Sequence, residues 1–489
     1  YLTSYKIRSL HVFWHNDTTI IIRDENPERK GMSAKQRIYT AGVLYYTVLK
    51  IRTDFRKERQ EDVMERNDPR YQAYVEILKE ELIPAMGCTE PIALAYAAAK
   101  AREVLGVLPD SVQLQVSGSI IKNVKSVIVP NTGHLKGMEA AVAAGIIAGS
   151  AEKELEVISE VSEEKKSAIR DYLQTVPITI EHTEQGHVFD IVVTERCGQD
   201  YARVRIADYH TNICRIEKNG TVLYEVPLLD ETVQEDARAD RSLLNMQDIW
   251  DFAETADLRD VADLLERQIR YNNAIAEEGL LGDYGANIGR VLLTTYGNDV
   301  SNRAKAKAAA GSDARMNGCE LPVIINSGSG NQGITCSVPL IEYAKELHSG
   351  KEKLYRALII SNLVAIHEKT GIGTLSAYCG AVSAGAGAGA GIVYLCGDGY
   401  QAAIHTVVNA LAIVSGIVCD GAKASCAAKI ASSVDAALLG YNMYKCNQEF
   451  KGGDGIVMKD IETTIKGIGR LGKDGMRQTN EEIIRLMMS

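Results

Sequence analysis

The stretch AGAGAGAG, residues 384–391, alternates alanine with glycine just after Cys379. In a helix interior, each glycine costs about 0.5–1 kcal/mol relative to alanine. A helix through this stretch therefore needs a compensating contact, and its missing side chains would let a second backbone or a bulky cofactor approach closely. We expect the segment to lie among tightly packed helices.

Two uncharged runs, 371–397 and 399–419, are long enough to raise the question of a membrane span. A lipid-facing span of about 20 residues is typically built from Leu, Ile, Val and Phe. These runs are instead rich in Ala, Gly, Ser and Thr, and they carry the polar residues Gln401, His405 and Asn409. We therefore predict buried helices and no membrane association.

The composition is typical of a globular protein of two or three domains, with 489 residues of which 46% are apolar and 24% charged. The net charge of −10 and the lack of a basic strip argue against nucleic acid and favour a small-molecule substrate. Ten cysteines are too few for a secreted disulfide framework, and no signal peptide precedes them, which predicts a reducing cytoplasm. The sequence is also compatible with an assembly of identical chains.

Apolar periodicity divides the chain into four segments. Residues 1–68 form an atypical extension that ends in a dense charge run, and because Met64 would be a natural start we expect this extension to be dispensable. Residues 69–108 have a helical pattern, with Thr89 as an N-cap directly after Cys88. We expect this segment to pack with the C-terminal domain.

Residues 109–234 alternate with a period of two and predict an α+β domain, with helices at 136–149 and 158–173 and an Asn-Gly hairpin turn in EKNGTV. From about residue 235 the strands disappear, and 235–489 predicts long Ala-rich helices. The predicted fold class is α+β: a large Ala/Gly-rich helical domain with a smaller inserted α+β domain.

Cysteines crowd the region from 379 to 426, where Cys379, Cys419 and Cys426 are candidate metal ligands. Thiolate is the preferred donor for iron-sulfur clusters and also binds zinc. The alternative is simple packing, because free cysteine is among the most buried residue types. A helix starting near Cys426, capped by Ser425, would favour a thiolate there. Spacing alone leaves both interpretations open.

The turn NSGSGNQG, residues 326–333, offers glycines, hydroxyls and amides that can form a backbone nest for an anion such as a carboxylate. The alternative is an ordinary tight turn. Lys122 and Asn123, placed on the rim of the α+β domain, could hold a substrate carboxylate or be solvated. His210 could bind substrate or be structural.

Seven stretches resemble the L-cysteine desulfidase family, which is related to the alpha chain of iron-sulfur L-serine dehydratases. In chain order they are ELIPAMGCTEPIALAYAAA, KNVKSVIVPNTG, HTNICRIEKNG, SDARMNGCELPVIINSGSGNQGIT, LSAYCG, CDGAKASCAAKI and RQTNEEII. The likeness runs from about Tyr71 to the C-terminus.

The resemblance implies a 4Fe-4S cluster held by Cys379, Cys419 and Cys426 in the helical segment 235–489, with the fourth iron position open. It implies a further functional cysteine at Cys88, with its pKa lowered by the following helix, as the base or as a ligand of the resting iron. His210 is a second candidate for substrate contact or proton transfer. The implied substrate contacts are Lys122, Asn123, Asn326, Ser327, Ser329 and Asn331.

The implied reaction is β-elimination of L-cysteine to sulfide, ammonia and pyruvate, in which a base takes the Cα proton while iron takes the sulfur. Two alternatives remain open. One is an iron-sulfur dehydratase acting on L-serine or a related amino acid, although the C-terminal LMMS lacks the tail cysteine that such enzymes can carry. The other is a non-catalytic redox or metal sensor.

Overall fold

The computed structural model describes residues 64–183, 187–226, 228, 238–373 and 375–488, together with the backbone of three strands near the N-terminus. Contacts divide the chain into two compact units, 1–64 and 65–489. In the first unit, β1 (Thr3–Ile7), β2 (Leu10–His15) and β3 (Thr19–Asp24) form an antiparallel sheet in the order β1-β2-β3.

The second unit contains a six-stranded sheet. Its strands are β5 (Ser111–Ser117), β6 (Ile178–Thr183), β7 (Asp190–Cys197), β8 (Asp200–Ala207), β9 (Ile213–Lys218) and β10 (Thr221–Glu225). Their order is β10-β9-β8-β7-β5-β6, in which β5 and β6 are parallel and the other pairs antiparallel. The predicted Asn-Gly hairpin turn is confirmed, since Asn219 and Gly220 have φ angles of 50° and 80° between β9 and β10.

The rest of the unit is largely helical. Its described α-helices are α1 (Pro69–Glu81), α2 (Thr89–Leu105), α3 (Gly118–Val124), α4 (Gly137–Ala148), α5 (Glu163–Thr175), α6 (Met246–Thr255), α7 (Ala262–Leu281), α8 (Ile288–Tyr296), α9 (Val300–Met316), α10 (Gly330–Glu346), α11 (Lys351–Ile372), α12 (Gly380–Cys396), α13 (Tyr400–Val414), α14 (Ser425–Lys445), α15 (Ile461–Arg470) and α16 (Arg477–Met488). The α+β fold class with a large helical part is confirmed.

One short strand contradicts the expectation that strands end near residue 235. Strand β11 (Pro322–Ile324) pairs antiparallel with β4 (Pro84–Met86). This pair ties the segment before α2 to the segment before α10. Helix α2 itself packs on β7, β8 and α4. The predicted domain boundaries at 109 and 235 stay predictions.

Helix α12 carries the Ala-Gly repeat through the middle of the helical layer, and its glycines are buried. Residues two apart on a helix point about 200° away from each other. A Cβ on Gly385 would collide with α14, and one on Gly387 would lie 2.4 Å from the Ser361 carbonyl oxygen of α11; Gly389 and Gly391 repeat the two contacts. The close approach expected from the sequence is therefore made by helix backbones on both sides. Among the described helices, none combines the length and apolar character that crossing a bilayer requires.

Candidate functional site

Four helices begin around the candidate site. Cys88 is the N-cap of α2 and Cys379 the N-cap of α12, while Cys426 is the second residue of α14. The predicted N-caps Thr89 and Ser425 are wrong by one position, because each is the first residue of its helix. The fourth helix, α10, begins at Gly330, inside the stretch 326–333 for which the sequence predicts an anion-binding turn, so only residues 326–329 precede the helix.

The three candidate ligands come together although Cys379 and Cys419 are forty residues apart. A short antiparallel bridge joins Tyr378 to Val418. Within it the Cys379 N–H donates to the Ile417 carbonyl at 3.2 Å, and the Cys419 N–H donates to the Ala377 carbonyl at 2.6 Å. This bridge brings the backbones at Cys379 and Cys419 together at the start of α12.

The three thiols influence one another electrostatically. Burial, and after it the nearby Cys419 and Cys426 thiols, raise the pKa of Cys379 to about 12. Burial also raises the pKa of Cys426, with a smaller contribution from Cys419. Deprotonating Cys379 and Cys426 therefore requires a positive charge at the site.

Two lysines, one buried and one partly buried, supply part of that charge. Lys122, only 1% exposed, lies near Cys379 and Cys419 and donates to the Asn480 Oδ1 at 2.6 Å. Its predicted place on the rim is wrong, because α3 is buried along its length. Burial lowers the pKa of Lys369 to about 8, and the same two cysteines oppose that shift. No pattern in the sequence selects Lys369.

Three cysteines are a donor set that iron-sulfur clusters use. Cys379 and Cys426 lie at helix N-termini, and Cys419 lies in the segment that leads to α14. Lys122 and Lys369 lie near Cys379 and Cys419. The residues present are therefore chemically compatible with such a cluster. No group of three or more His, Cys, Asp or Glu side chains in the described residues is arranged to hold one metal ion.

Cys88 lies next to these thiols but is not activated as predicted. It packs with Val127 and Met316, and Cys426 packs against the same cluster. The pKa of Cys88 is raised well above its usual value, first by burial and then by the neighbouring Glu90. The predicted lowering by the helix is therefore wrong, because burial and a carboxylate outweigh the helix N-terminus.

Glu90 is a buried residue that the sequence analysis missed. Its carboxylate accepts hydrogen bonds from the Cys88 thiol at 3.0 Å, from Thr89 at 3.1 Å and from the Asn123 amide at 3.0 Å. Asn123 is thus held by Glu90 and is buried, away from any rim. The signal was present in GCTEP, where an acidic residue opens a helix, but such residues usually face solvent.

The turn before α10 splits the predicted substrate contacts. Asn326 is fully buried and donates to the Asn362 Oδ1 at 3.0 Å, while its own Oδ1 accepts from the Ser327 hydroxyl. Ser327 and Gly328 have φ angles of 48° and 74°, and the backbones of Asn326 and Ser329 bond to each other. These contacts assign Asn326 a structural role.

Two residues in the first turn of α10 have side-chain oxygens that accept no hydrogen bond within the described residues. The Asn331 Oδ1 and the Gln332 Oε1 are buried and have no hydrogen-bond partner within the described residues. The Gln332 side chain covers Gly380, where a Cβ would lie 2.6 Å from its Cδ. Helix α10 therefore starts beside Cys379, with Ser329 as an N-cap whose side chain makes no capping hydrogen bond.

His210 approaches the same turn from the sheet. A Cβ on Gly328 would lie 3.2 Å from the His210 Cε1, and the ring packs edge-on against Phe189 at 4.7 Å between centroids. Its Nε2 is buried without a partner in the described structure. Burial lowers the pKa of His210 below its usual 6.5, Glu90 opposes that shift and Arg315 adds to it. The imidazole is thus neutral near pH 7.

Comparison with known proteins places the chain in a family. A family model described as serine dehydratase alpha chain matches residues 152–485. The chain therefore belongs to the serine dehydratase alpha chain family, as the resemblance indicated.

Individual relatives are named UPF0597 protein. The one from Desulfitobacterium hafniense (strain Y51) is 61% identical over 426 residues, covering 87% of this chain and 99% of that protein. The one from Lachnoclostridium phytofermentans is 52% identical, covering 86% of this chain and 100% of that protein. The one from Treponema denticola is 47% identical, with coverages of 86% and 98%.

Proposed function

We propose that this chain catalyses β-elimination from a small L-amino acid in the cytoplasm, converting L-cysteine to sulfide, ammonia and pyruvate. We further propose that Cys379, Cys419 and Cys426 hold a 4Fe-4S cluster. The observation that carries the proposal is the meeting of these three thiols at two helix N-termini beside Lys122 and Lys369. Family membership supports a lyase of the dehydratase type.

The chemistry requires a poor leaving group and a weakly acidic proton to depart together. When bound, a cluster with an open iron position supplies a Lewis acid for the sulfur that leaves. The chain must supply a base for the Cα proton and contacts that hold the carboxylate and amino groups. Loss of sulfide leaves aminoacrylate, which tautomerises and hydrolyses to pyruvate and ammonia.

We assign the base to His210 in preference to Cys88. A base must be unprotonated at the working pH. The lowered pKa of His210 keeps its imidazole neutral, and its buried Nε2 has no other hydrogen-bond partner among the described residues. The Cys88 thiol instead donates to Glu90, which suits a residue that positions Glu90 or closes the open iron position.

L-Serine is the second candidate substrate. It is favoured by the name of the matching family model, and the same open iron position can accept a β-hydroxyl. A sensor without turnover is the candidate from another class. The three are separated by assays on one preparation.

The test is purification without oxygen, followed by assays of sulfide, ammonia and pyruvate with L-cysteine and with L-serine. Cys379→Ser should lose iron, visible absorption and turnover. Cys446→Ser is the matched control, because Cys446 is an exposed thiol at the opposite end of the helix that carries Cys426. Wild-type protein that holds iron and sulfide but releases no product from any amino acid would refute the enzyme proposal and favour a sensor.

A further inference from the structure

Arg315 is a buried cation near the C-terminal end of α9, and it is only 2% exposed. Its Nε has no hydrogen-bond partner, and its guanidinium forms no ion pair within the part of the chain that the structure describes. Arg303, on the same helix, differs from Arg315 because its guanidinium is paired with Glu342 at 3.1 Å and with Glu346 at 2.6 Å. A buried charge without a partner is costly, so its retention calls for a reason.

The surroundings of Arg315 point into the candidate site. A Cβ on Gly330 would lie 2.3 Å from the Arg315 Nε, so glycine at the first position of α10 gives the guanidinium room beside that helix N-terminus. The charge of Arg315 also acts on Cys88 and on His210. Arg315 therefore lies where the uncapped start of α10, the candidate base and the further cysteine meet.

We propose that Arg315 and the first N–H groups of α10 bind the α-carboxylate of the amino-acid substrate, an assignment that rests on the proposed function. A guanidinium presents parallel N–H donors that match the two oxygens of a carboxylate. A helix N-terminus favours the same negative charge. This site selects α-amino acids over amines that lack the carboxylate, and it places Cα on the side of His210.

Lys122 and Asn123 are poorer partners for that carboxylate. The Lys122 ammonium already donates to Asn480 and lies by Cys379 and Cys419. The Asn123 amide donates to the Glu90 carboxylate. Arg315 is thus the cation at this site that has an unused donor.

The binding experiment uses the anaerobic holoenzyme with L-alanine and ethylamine as probes, since neither has a leaving group and they differ only by the carboxylate. L-Alanine should raise the unfolding midpoint of the wild type by mass action, and ethylamine should not. In Arg315→Met that rise should disappear, while the ligand-free variant unfolds at the same or a higher temperature because the unpaired charge is gone. Arg303→Met is the matched control and should lose stability while keeping the response to L-alanine.

The kinetic experiment measures KM and kcat for the amino acid that the wild type turns over. Arg315→Met should raise KM by about 10²-fold or more, the scale for losing one member of a buried charge pair, and Arg303→Met should leave KM unchanged. If Arg315→Met does not fold, Arg315→Lys replaces it, and its KM should rise at least tenfold because the fork of donors is lost.

Three results would overturn the assignment. The first two are an equal response to L-alanine in wild type and Arg315→Met, and an unchanged KM in the variant that folds. A wild type that L-alanine does not stabilise would overturn it as well. Failure of the proposed function is distinct, because a protein without turnover can still show the carboxylate-dependent rise and its loss in Arg315→Met.

Discussion

Replacing Gly387 by alanine tests whether the Ala-Gly repeat exists for close helix packing. Helix propensity alone predicts a gain of about 0.5–1 kcal/mol for this change. The new Cβ, however, would lie 2.4 Å from the Ser361 carbonyl oxygen and 3.2 Å from the Ala365 backbone nitrogen. These are backbone atoms of α11, so a whole helix must move. Overpacking of this kind costs about 1–3 kcal/mol, which, against the propensity gain, leaves a net loss of about 1 kcal/mol at mid-range and up to about 2.5 kcal/mol.

The assay is denaturant unfolding of Gly387→Ala beside Gly467→Ala. Gly467 lies inside α15, and its Cβ would have only the Met458 Cγ at 3.7 Å, an ordinary contact. The control should therefore show the propensity gain of about 0.5–1 kcal/mol without a clash. Gly387→Ala protein as stable as the wild type, with Gly467→Ala stabilised, would show that α11 can retreat freely and that the repeat is not needed for packing.

Four further changes test individual side chains. His210→Gln should lower turnover by about 10²-fold or more, and the wild-type kcat/KM should decline on the acid side only below pH 6.5 because burial lowers the pKa of this histidine. Glu195→Gln should stabilise the protein relative to the wild type, increasingly above pH 5. Burial raises the pKa of Glu195 in the folded wild type, which therefore holds a proton that the unfolded chain releases as the pH rises. The free energy of unfolding of the wild type then falls by up to about 1.4 kcal/mol per pH unit, and the variant avoids this loss. Glu217→Gln, on β9, should instead destabilise the protein as the pH rises, since hydrogen bonds from a tyrosine and an arginine lower the pKa of Glu217 in the folded state. Equal pH profiles of the unfolding free energy for the two variants would contradict the reasoning. Asn480→Ala should cost about 1.5–3 kcal/mol in unfolding free energy, because the buried Lys122 ammonium then keeps only a 3.4 Å contact with a carbonyl.

Much of the fold could be predicted because its signals are local. The alternation in SVQLQVS, residues 111–117, places three apolar side chains on one buried face, and Asn219-Gly220 fixes a hairpin by backbone conformation. The pairing of β4 with β11 could not be predicted. Three-residue strands are too short to show a period, and these two lie more than 230 residues apart.

The candidate site was only half visible in the sequence. Cys379, Cys419 and Cys426 could be selected as candidate ligands because few kinds of site require a thiol. Charged residues could not be selected in this way, because most are solvated, and the burial of Arg315 and the partial burial of Lys369 follow only from tertiary packing. The same limit explains the error on thiol acidity at Cys88, where the helix was visible in the sequence and the burial was not.

The helix N-termini at the candidate site are arranged to stabilise negative charge. At several helices away from the site, a side chain of Asp, Ser or Asn accepts a hydrogen bond from the first turn, as at α1, α5, α6, α9 and α15. At α3, α4, α7, α8, α11 and α13 no side chain does so, and the same is true of the four helices that begin at the candidate site, α2, α10, α12 and α14. These four starts are joined to one another: Cys88 and Cys426 share a cluster, Gln332 covers Gly380, and Thr89 donates to the Gly328 carbonyl at 3.0 Å. Their N–H groups are left to stabilise negative charge, whether of thiolates, of a cluster or of a substrate carboxylate. A side chain that capped one of these helices would compete with an anion for its N–H groups, and neither Cys88 nor Cys379 makes such a capping bond.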